Sequence, residues 1–383
     1  MYFYWSRLLR SCRNQRYLFF TRRREMSNDN DKTITVDTKY DLYRLENGPS
    51  EKATINEKEA MYALKTMIYI RRMENKAAEL YKLRLINGFL HLYSGQEAVA
   101  VGMKMSMKEQ DSLITAYRCH GFAVVFGASA REVFAELMGR KTGISKGKGG
   151  SMHMYAKQFY GGDGIVGGQV PIGAGLGFAE KYNGTGGVAW TLYGDGAASQ
   201  GQVHETYNIS QLWNLPVVYI CENNQYGMGT AIHRHSANTK FYTRGDLIPG
   251  VKVDGMKVAD VCEAIKFARD HAVRRGPIIL EMVTYRYFGH SMSDPGTSYR
   301  TREEVKSVRD ERDPIKLFIQ VLVENGLKTT AEIQQIQASV NKVVDEELEQ
   351  AKADPPPEMS EIGANVYVKP LEKIRGKVPW EVH

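Results

Sequence analysis

Apolar positions along this chain alternate between two periods. From Glu57 to Leu83, Met61, Leu64, Met67, Ile68 and Met73 fall on one stripe at helical spacing and predict a long helix. Residues 130–139 predict a second helix, which runs into TGISKGKGGSMHMY, where the glycines break regular structure and predict a loop. In the centre, GGVAWTLY (186–193) is apolar enough for a buried strand, GDG is its turn, and SQGQVHETYNISQLW (199–213) is a helix. LPVVYICENN (215–224) is the next strand. Val258, Val261, Cys262, Ile265, Ala268 and Ala272 then recur at helical spacing, closed by Gly276 and Pro277. PIILEMVTY (277–285) is another apolar strand, and a last helix runs from Thr330 to about Ala353, before Pro355-Pro356-Pro357. Residues 27–55 are polar and read as a surface or mobile segment.

Strands alternating with helices predict an α/β fold, a mainly parallel sheet with helices on both faces. No internal repeat or second domain boundary interrupts it. Gly194-Asp195-Gly196, Asn223-Asn224-Gln225-Tyr226-Gly227 and Phe288-Gly289-His290-Ser291 each follow a predicted strand. Ligands of open α/β sheets sit beyond the carboxyl ends of the strands, so three polar motifs are predicted to converge on one rim.

Composition changes this picture in one place. The chain is 43% hydrophobic and 25% charged, ordinary for a globular protein. No apolar run approaches the roughly 18–20 residues of a membrane span. The net charge of +7 is concentrated: the first 25 residues hold seven arginines against Glu25 alone, +6 of the total. The rest of the chain lacks the basic body that a nucleic-acid partner needs. An arginine-rich, acid-poor leader with interspersed apolar residues reads as a mitochondrial presequence over residues 1–26. Cys12, Cys119, Cys221 and Cys262 form no CxxC pair, so reduced thiols are predicted and neither a zinc site nor a disulfide framework is indicated.

The rim motifs carry recognisable chemistry. Glycines on either side of Asp195 allow close backbone approach to a ligand, and a following helix presents free N–H groups to phosphate. A carboxylate, an amide oxygen and a carbonyl, completed by phosphate oxygens, form the hard oxygen shell that Mg²⁺ prefers. Asp195 alone is a common turn residue; paired with Asn224 at the next strand end it is far more specific. Gly173 to Gly177 mimics a dinucleotide fingerprint, but no strand cleanly precedes it and no acidic partner follows, so helix packing is the better reading.

The stretch from GDG (194–196) to NN (223–224) resembles the thiamine-diphosphate motif. From about Tyr43 onward, GFLHLYSGQEAVAVG, ITAYRCHG, GKGGSMHMYAKQFYGGDGIVGGQVPIGAG and YFGHSMSDPGTSYR make the chain similar to the family of alpha subunits of mitochondrial pyruvate dehydrogenase components. That resemblance implies a thiamine-diphosphate-binding fold over residues 56–383, ending in a helical region, and oxidative decarboxylation of pyruvate with reductive acetylation of a lipoyl group. It implies that Asp195, the Asn224 side chain and the Tyr226 carbonyl hold Mg²⁺. Gly196 and Ala197 would line the diphosphate at the helix start, and Tyr117 and Arg118 would contact its phosphates. Gly164 and Val166 would meet the middle of the cofactor, with Ala156 and His91 nearby. His290 is the implied catalytic residue, facing both the diphosphate and the substrate channel.

The family also needs a carboxylate beside the aminopyrimidine, supplied by a beta subunit. An α2β2 assembly in the mitochondrial matrix is therefore implied, served by a lipoyl-bearing dihydrolipoyl transacetylase core and regulated by a kinase and a phosphatase. Ser291 and Ser298 are the implied phosphorylation sites, on a loop that Arg286, Arg300 and Arg302 would order when unmodified. Phe288 replaces the usual histidine of that loop, and Ala231 replaces a third regulatory serine. A branched-chain 2-oxo acid dehydrogenase alpha subunit is the nearest rival, disfavoured by GKGGSMHMYAKQFYGG and SMSDPGTSYR. A non-catalytic regulatory homologue would lose the metal ligands, yet Asp195 and Asn224 are both present.

Overall fold

A computed structural model describes residues 32–365; the predicted presequence and Cys12 lie outside them. In chain order the first elements are β1 (Thr33–Asp37), β2 (Asp41–Tyr43), β3 (Lys52–Asn56), α1 (Glu57–Lys82), α2 (Glu97–Ser106) and β4 (Ser112–Ala116). They are followed by α3 (His120–Val125), α4 (Ala130–Leu137), β5 (Phe159–Asp163), α5 (Gln169–Asn183), β6 (Ala189–Gly194) and α6 (Gly201–Leu212). Next come β7 (Val217–Asn223), the short ribbon β8 (Tyr226–Gly227) and β9 (Thr230–Ala231), α7 (Ile232–His235), β10 (Gly250–Asp254), α8 (Val258–Arg275) and β11 (Ile278–Val283). Helices α9 (Arg302–Glu311), α10 (Pro314–Glu324) and α11 (Thr330–Ala353) follow, and a 3₁₀ turn at Met359–Gly363 is the last described element.

The main sheet has the order β2-β10-β11-β7-β6-β4-β5, parallel except for β2. Its central strands are buried on both faces, so their apolar runs are continuous and successive residues enter different cores. Trp190, Leu192, Val218, Ile220, Leu280 and Met282 point into the core formed with α1, α2 and α8. Ala189, Tyr193, Val217, Tyr219, Cys221 and Ile279 point into the core under α5 and α6. Helices on both faces and a mainly parallel sheet are as the sequence predicts.

Local signals set the helix ends. Asn56 and Glu59 form a reciprocal capping box at the start of α1, and Thr329 and Glu332 do the same for α11. Gly276, at φ 88°, ends α8. In α5 the glycines are packing devices: a Cβ at Gly173 would lie 1.9 Å from the Thr191 side chain, and one at Gly177 would lie 2.3 Å from that of Val217. The helix interior tolerates them because α5 must lie close on β6 and β7.

The described part of residues 27–55, read as a surface or mobile segment, is mostly exposed and forms strands. β1 and β3 pair antiparallel, and β2 adds to the open edge of the main sheet at β10. Ile34, Ala53 and Ile55 are buried. Alternation with polar neighbours hides this apolar face in so short a segment. Cys119, Cys221 and Cys262 are free and buried. Among the described residues no helix is long and apolar enough to cross a membrane.

The glycine-rich loop after α4 is a loop, as predicted, held by one carboxylate. Glu136, almost fully buried, accepts the backbone N–H groups of Ser145 (2.7 Å), Gly147 (2.9 Å), Gly149 (2.6 Å) and Gly150 (3.0 Å). Gly147, at φ 74°, and Gly150, at φ 61°, take left-handed conformations that other residues rarely adopt. Glu136→Gln keeps the shape but replaces one acceptor oxygen by a donor. It should lower stability by about 2–4 kcal/mol, with two buried N–H groups left unpaired. Thermal unfolding, with limited proteolysis at 142–155, measures this; wild-type stability and protection would remove Glu136 from that role.

Candidate functional site

The sheet register brings the motif ends to one level. Gly194 pairs with Glu222 across β6 and β7, Asn223 with Val283 across β7 and β11, and Ala116 with Asp163 across β4 and β5. The residues just beyond those strand ends therefore surround one cleft, of about 1050 Å³. His91, Tyr117, Arg118, Gly164, Val166, Asp195, Gly196, Ala197, Asn224, Tyr226, His290, Ser291 and Ser298 all line it. Ala156 does not: it pairs with Phe159 in a backbone bridge beside the core.

The turns after β6 and β7 press against each other. A Cβ at Gly196 would sit 3.0 Å from the Gly227 Cα, and one at Gly227 would sit 3.1 Å from the Gly196 Cα, so neither position admits a side chain without displacement. This contact sets Asp195 beside Asn224. A short 3₁₀ turn, Ala197–Ser199, separates the GDG turn from α6, which begins only at Gly201. The helix thus starts later than the sequence reading has it.

At the facing turns of this cleft Asp195 Oδ2 and Asn224 Oδ1 are buried without a hydrogen-bond partner, as is Gln169 Oε1 at the start of α5. His235 Nε2, 3.5 Å from Asp195 Oδ2, is likewise unpartnered. Unpaired buried polar atoms are costly, and a hard cation is the group that would pair these oxygens. The Tyr226 carbonyl accepts one N–H of Arg286 at 2.9 Å, which leaves it a second lone pair. Among the described residues no cluster of three or more His, Cys, Asp or Glu is arranged to bind a metal, so these oxygens need outside ligands to complete a shell.

Arg118 and Arg286 are both buried, and both donate to carbonyls rather than carboxylates. Arg118 reaches Leu92 O at 2.6 Å and His290 O at 2.9 Å. Arg286 reaches Tyr226 O and Met228 O, and the Tyr299 hydroxyl at 3.0 Å. Neutral acceptors leave their charge uncancelled, and burial, then the neighbouring Arg286, pulls the Arg118 guanidinium down to about 10. An anion is the missing partner, and a guanidinium suits phosphate.

Three rings cluster at the mouth. His91 lies 4.6 Å from Tyr117 and 5.2 Å from His290, and Tyr117 lies 5.5 Å from His290, centroid to centroid. Burial, then Arg118, holds His91 down to about 2, and its Nδ1 has no partner. His91 is therefore a neutral cleft residue rather than a satisfied core histidine. His153 and His204 are not among the residues that line the cleft.

The loop after β11 is ordered by its own side chains. Asp294 accepts from the His290 backbone at 2.6 Å, from Gly296 at 2.8 Å and from the Tyr299 hydroxyl at 2.6 Å. Arg300 donates to Arg286 O at 2.7 Å and to Phe288 O. Of the three arginines expected to order the loop, Arg286 and Arg300 do so. Arg302 instead stands exposed at the start of α9, in its solvent-facing first turn. Ser291 is buried and shares a 2.8 Å hydrogen bond with Ser293, whereas Ser298 is exposed.

Sequence reasoning missed Gln96, Glu222 and His235, which also line the cleft. Glu222 is the penultimate residue of β7, and its place in the cleft shows only once the strand is packed beside α2 and β6. Burial pushes its carboxyl up to about 7.

Unpartnered oxygens facing buried guanidiniums beyond parallel strand ends make a cleft whose chemistry suits a phosphate ligand carrying a hard cation. The chain matches the dehydrogenase E1 component family over residues 65–360 and belongs to it. Curated relatives include the mitochondrial pyruvate dehydrogenase E1 component subunits alpha, somatic form, of Bos taurus and Homo sapiens. Each is 51% identical over 353 residues, spanning 92% of this chain and 90% of theirs. The mitochondrial pyruvate dehydrogenase E1 component subunit alpha of Sminthopsis macroura is 50% identical, spanning 92% of this chain and 97% of its own.

Burial, then Arg118 and Arg286, lowers His290 from 6.5 to about 4. Between those values the unfolded chain takes the proton first, so this histidine's contribution to stability falls as pH drops through that window. Nitrogen chemical shifts of His290 should stay those of a neutral ring from pH 7 to about 5, and Arg118→Met should raise the midpoint. A midpoint near that of free histidine would refute the burial argument.

Proposed function

We propose that this chain is the alpha subunit of a thiamine-diphosphate-dependent pyruvate dehydrogenase component, which oxidatively decarboxylates pyruvate and passes the acetyl group to a lipoyl carrier. The observation that carries the reading is the pair of unpartnered buried oxygens, on Asp195 and Asn224, opposed by two guanidiniums without carboxylates. Mg²⁺ on the first pair and a diphosphate on the second satisfy both, and the named relatives agree with that chemistry.

Asp195, Asn224 and the free lone pair of the Tyr226 carbonyl hold Mg²⁺. Arg118 and Tyr117 bind the phosphates, Gly196 and Ala197 give them room, and Gly164 and Val166 face the middle of the cofactor. When bound, thiamine diphosphate supplies a nucleophilic carbon and an electron sink for loss of CO₂. His290, held neutral, presents one donor and one acceptor and moves a proton at the channel mouth. His91 and Tyr117 pack around its ring and exclude water.

A partner subunit completes the site. The face formed by α5 and α6 exposes Tyr182 (81%), Leu212 (75%), Trp213 (51%) and Ile172 (50%) around a further apolar hollow. An exposed apolar patch of this kind supports a protein partner. That partner is the beta subunit of an α2β2 assembly, which works with a lipoyl-bearing transacetylase core. The mitochondrial relatives support a mitochondrial location, and the arginine-rich leader supports the matrix.

Ser291 and Ser298 are targets of a regulatory kinase, reversed by a phosphatase. Phosphate on Ser291 adds about −1.5 to −2 charge. The Ser291 hydroxyl is buried on the loop that Asp294 ties down through the His290 backbone, so the new charge expels the loop. Enzyme phosphorylated at Ser291 alone should lose nearly all acetyl transfer; full activity in that form would overturn the mechanism.

Co-expression with a beta subunit should give pyruvate-dependent, Mg²⁺-dependent acetyl transfer, with the branched 2-oxo acid turned over far more slowly. Asp195→Ala should cost more than the roughly 10–100-fold lost when only a ligand's supporting partner is removed. Turnover by the alpha chain alone, or undiminished activity in Asp195→Ala, would defeat the proposal.

A further inference from the structure

Asn224 can serve a cation only if its amide points the right way. The two ends of a side-chain amide are nearly equal in shape, so partners must decide which faces the cleft. Asn224 Nδ2 donates to Gln96 Oε1 at 3.1 Å, and Gln96 Nε2 reaches Glu222 Oε1 at 3.4 Å. The same Glu222 oxygen accepts the Tyr93 hydroxyl at 2.6 Å. All four residues are buried.

This chain has a direction. Two of its members are amides, which accept at oxygen, donate at nitrogen and fit either way round, but the Glu222 oxygen at its root accepts two hydrogen bonds. It therefore draws the nitrogen end of Gln96, which leaves the oxygen end of Gln96 for Asn224. Asn224 spends its nitrogen on that oxygen, and its Oδ1 is left buried and unpartnered beside the equally unpartnered Oδ2 of Asp195. Each member comes from a rigid position: Gln96 is the N-cap residue of α2, and Glu222 lies on β7 two residues before Asn224.

We propose that Gln96 and Glu222 are positioning residues, a polar relay that fixes the Asn224 amide with its oxygen toward the metal position. The inference rests on the assignment of Asp195 and Asn224 to Mg²⁺ and goes beyond it. The relay touches neither metal nor substrate and acts only through Asn224.

The assembled enzyme with its beta subunit tests this, with Mg²⁺ half-saturation measured by tryptophan quenching at fixed thiamine diphosphate. Glu222→Met removes both accepting oxygens at similar length, and Gln96→Met breaks the chain at nearly constant volume. Each should raise the Mg²⁺ half-saturation by about tenfold, the size of effect seen when a ligand's support is removed. Because both act through one amide, the double variant should be no worse than either single. Tyr93→Phe keeps the direction of the relay, and its half-saturation should stay within about twofold of wild type. Thermal unfolding of each assembly verifies that the fold is retained.

Unchanged Mg²⁺ half-saturation in both single variants overturns the relay, as does an additive double variant. A Tyr93→Phe effect equal to that of Glu222→Met would reduce the observation to core packing and overturns it too. Wild-type enzyme that binds thiamine diphosphate without any divalent cation overturns the metal assignment and the relay together, which separates the two failures.

Discussion

Everything at the cleft depends on parallel strands ending at one level in a sheet clamped between two cores. A parallel strand buried on both faces cannot slip by a residue without sending each side chain into the wrong core. Trp190 and Leu192 point one way and Ala189 and Tyr193 the other, so β6 has one acceptable register against β7. That register places Gly194 opposite Glu222, and the turns that follow can then meet back to back at Gly196 and Gly227. The cleft is rigid because its floor is the hydrophobic core, while its chemistry sits in the few residues beyond the strand ends.

The second organising element is charge left uncancelled. Arg118, Arg286 and Arg300 tie β4, the β8–β9 ribbon and the loop after β11 together through backbone carbonyls. A carboxylate in place of those carbonyls would build the loop equally well but neutralise the cleft. The same side chains that shape the mouth therefore keep it attractive to an anion. Burial first, then the Arg118 and Arg286 charges, holds the His91 and His290 imidazoles neutral beside them.

Much of this was legible in the sequence. Long strands and helices with a clear period, β6, β7, β11, α1, α8 and α11, appear where their patterns put them, within the uncertainty of element ends. The residues carrying the GDG, NN and GHS motifs converge because strand-end geometry is general to open α/β sheets. What was hidden falls into two kinds. Segments such as β1 and β3 lack a strong local period because they have only a few apolar positions, whereas the α5 glycines pack closely as their helix-packing reading has it. Gln96, Glu222 and His235 join the cleft only through tertiary contacts, so no spacing along the chain announces them.

The loop at 142–155 shows how unevenly a structure can distribute its dependence on individual letters of the sequence. Its conformation is held by main-chain N–H groups, which almost every amino acid possesses, so several of its polar positions are open to drift. The acceptor, by contrast, is a single side chain on α4, outside the stretch that it organises. Variation inside the loop and constancy outside it would then be two aspects of one design, and a comparison confined to the glycine-rich run would overlook the residue that gives it shape.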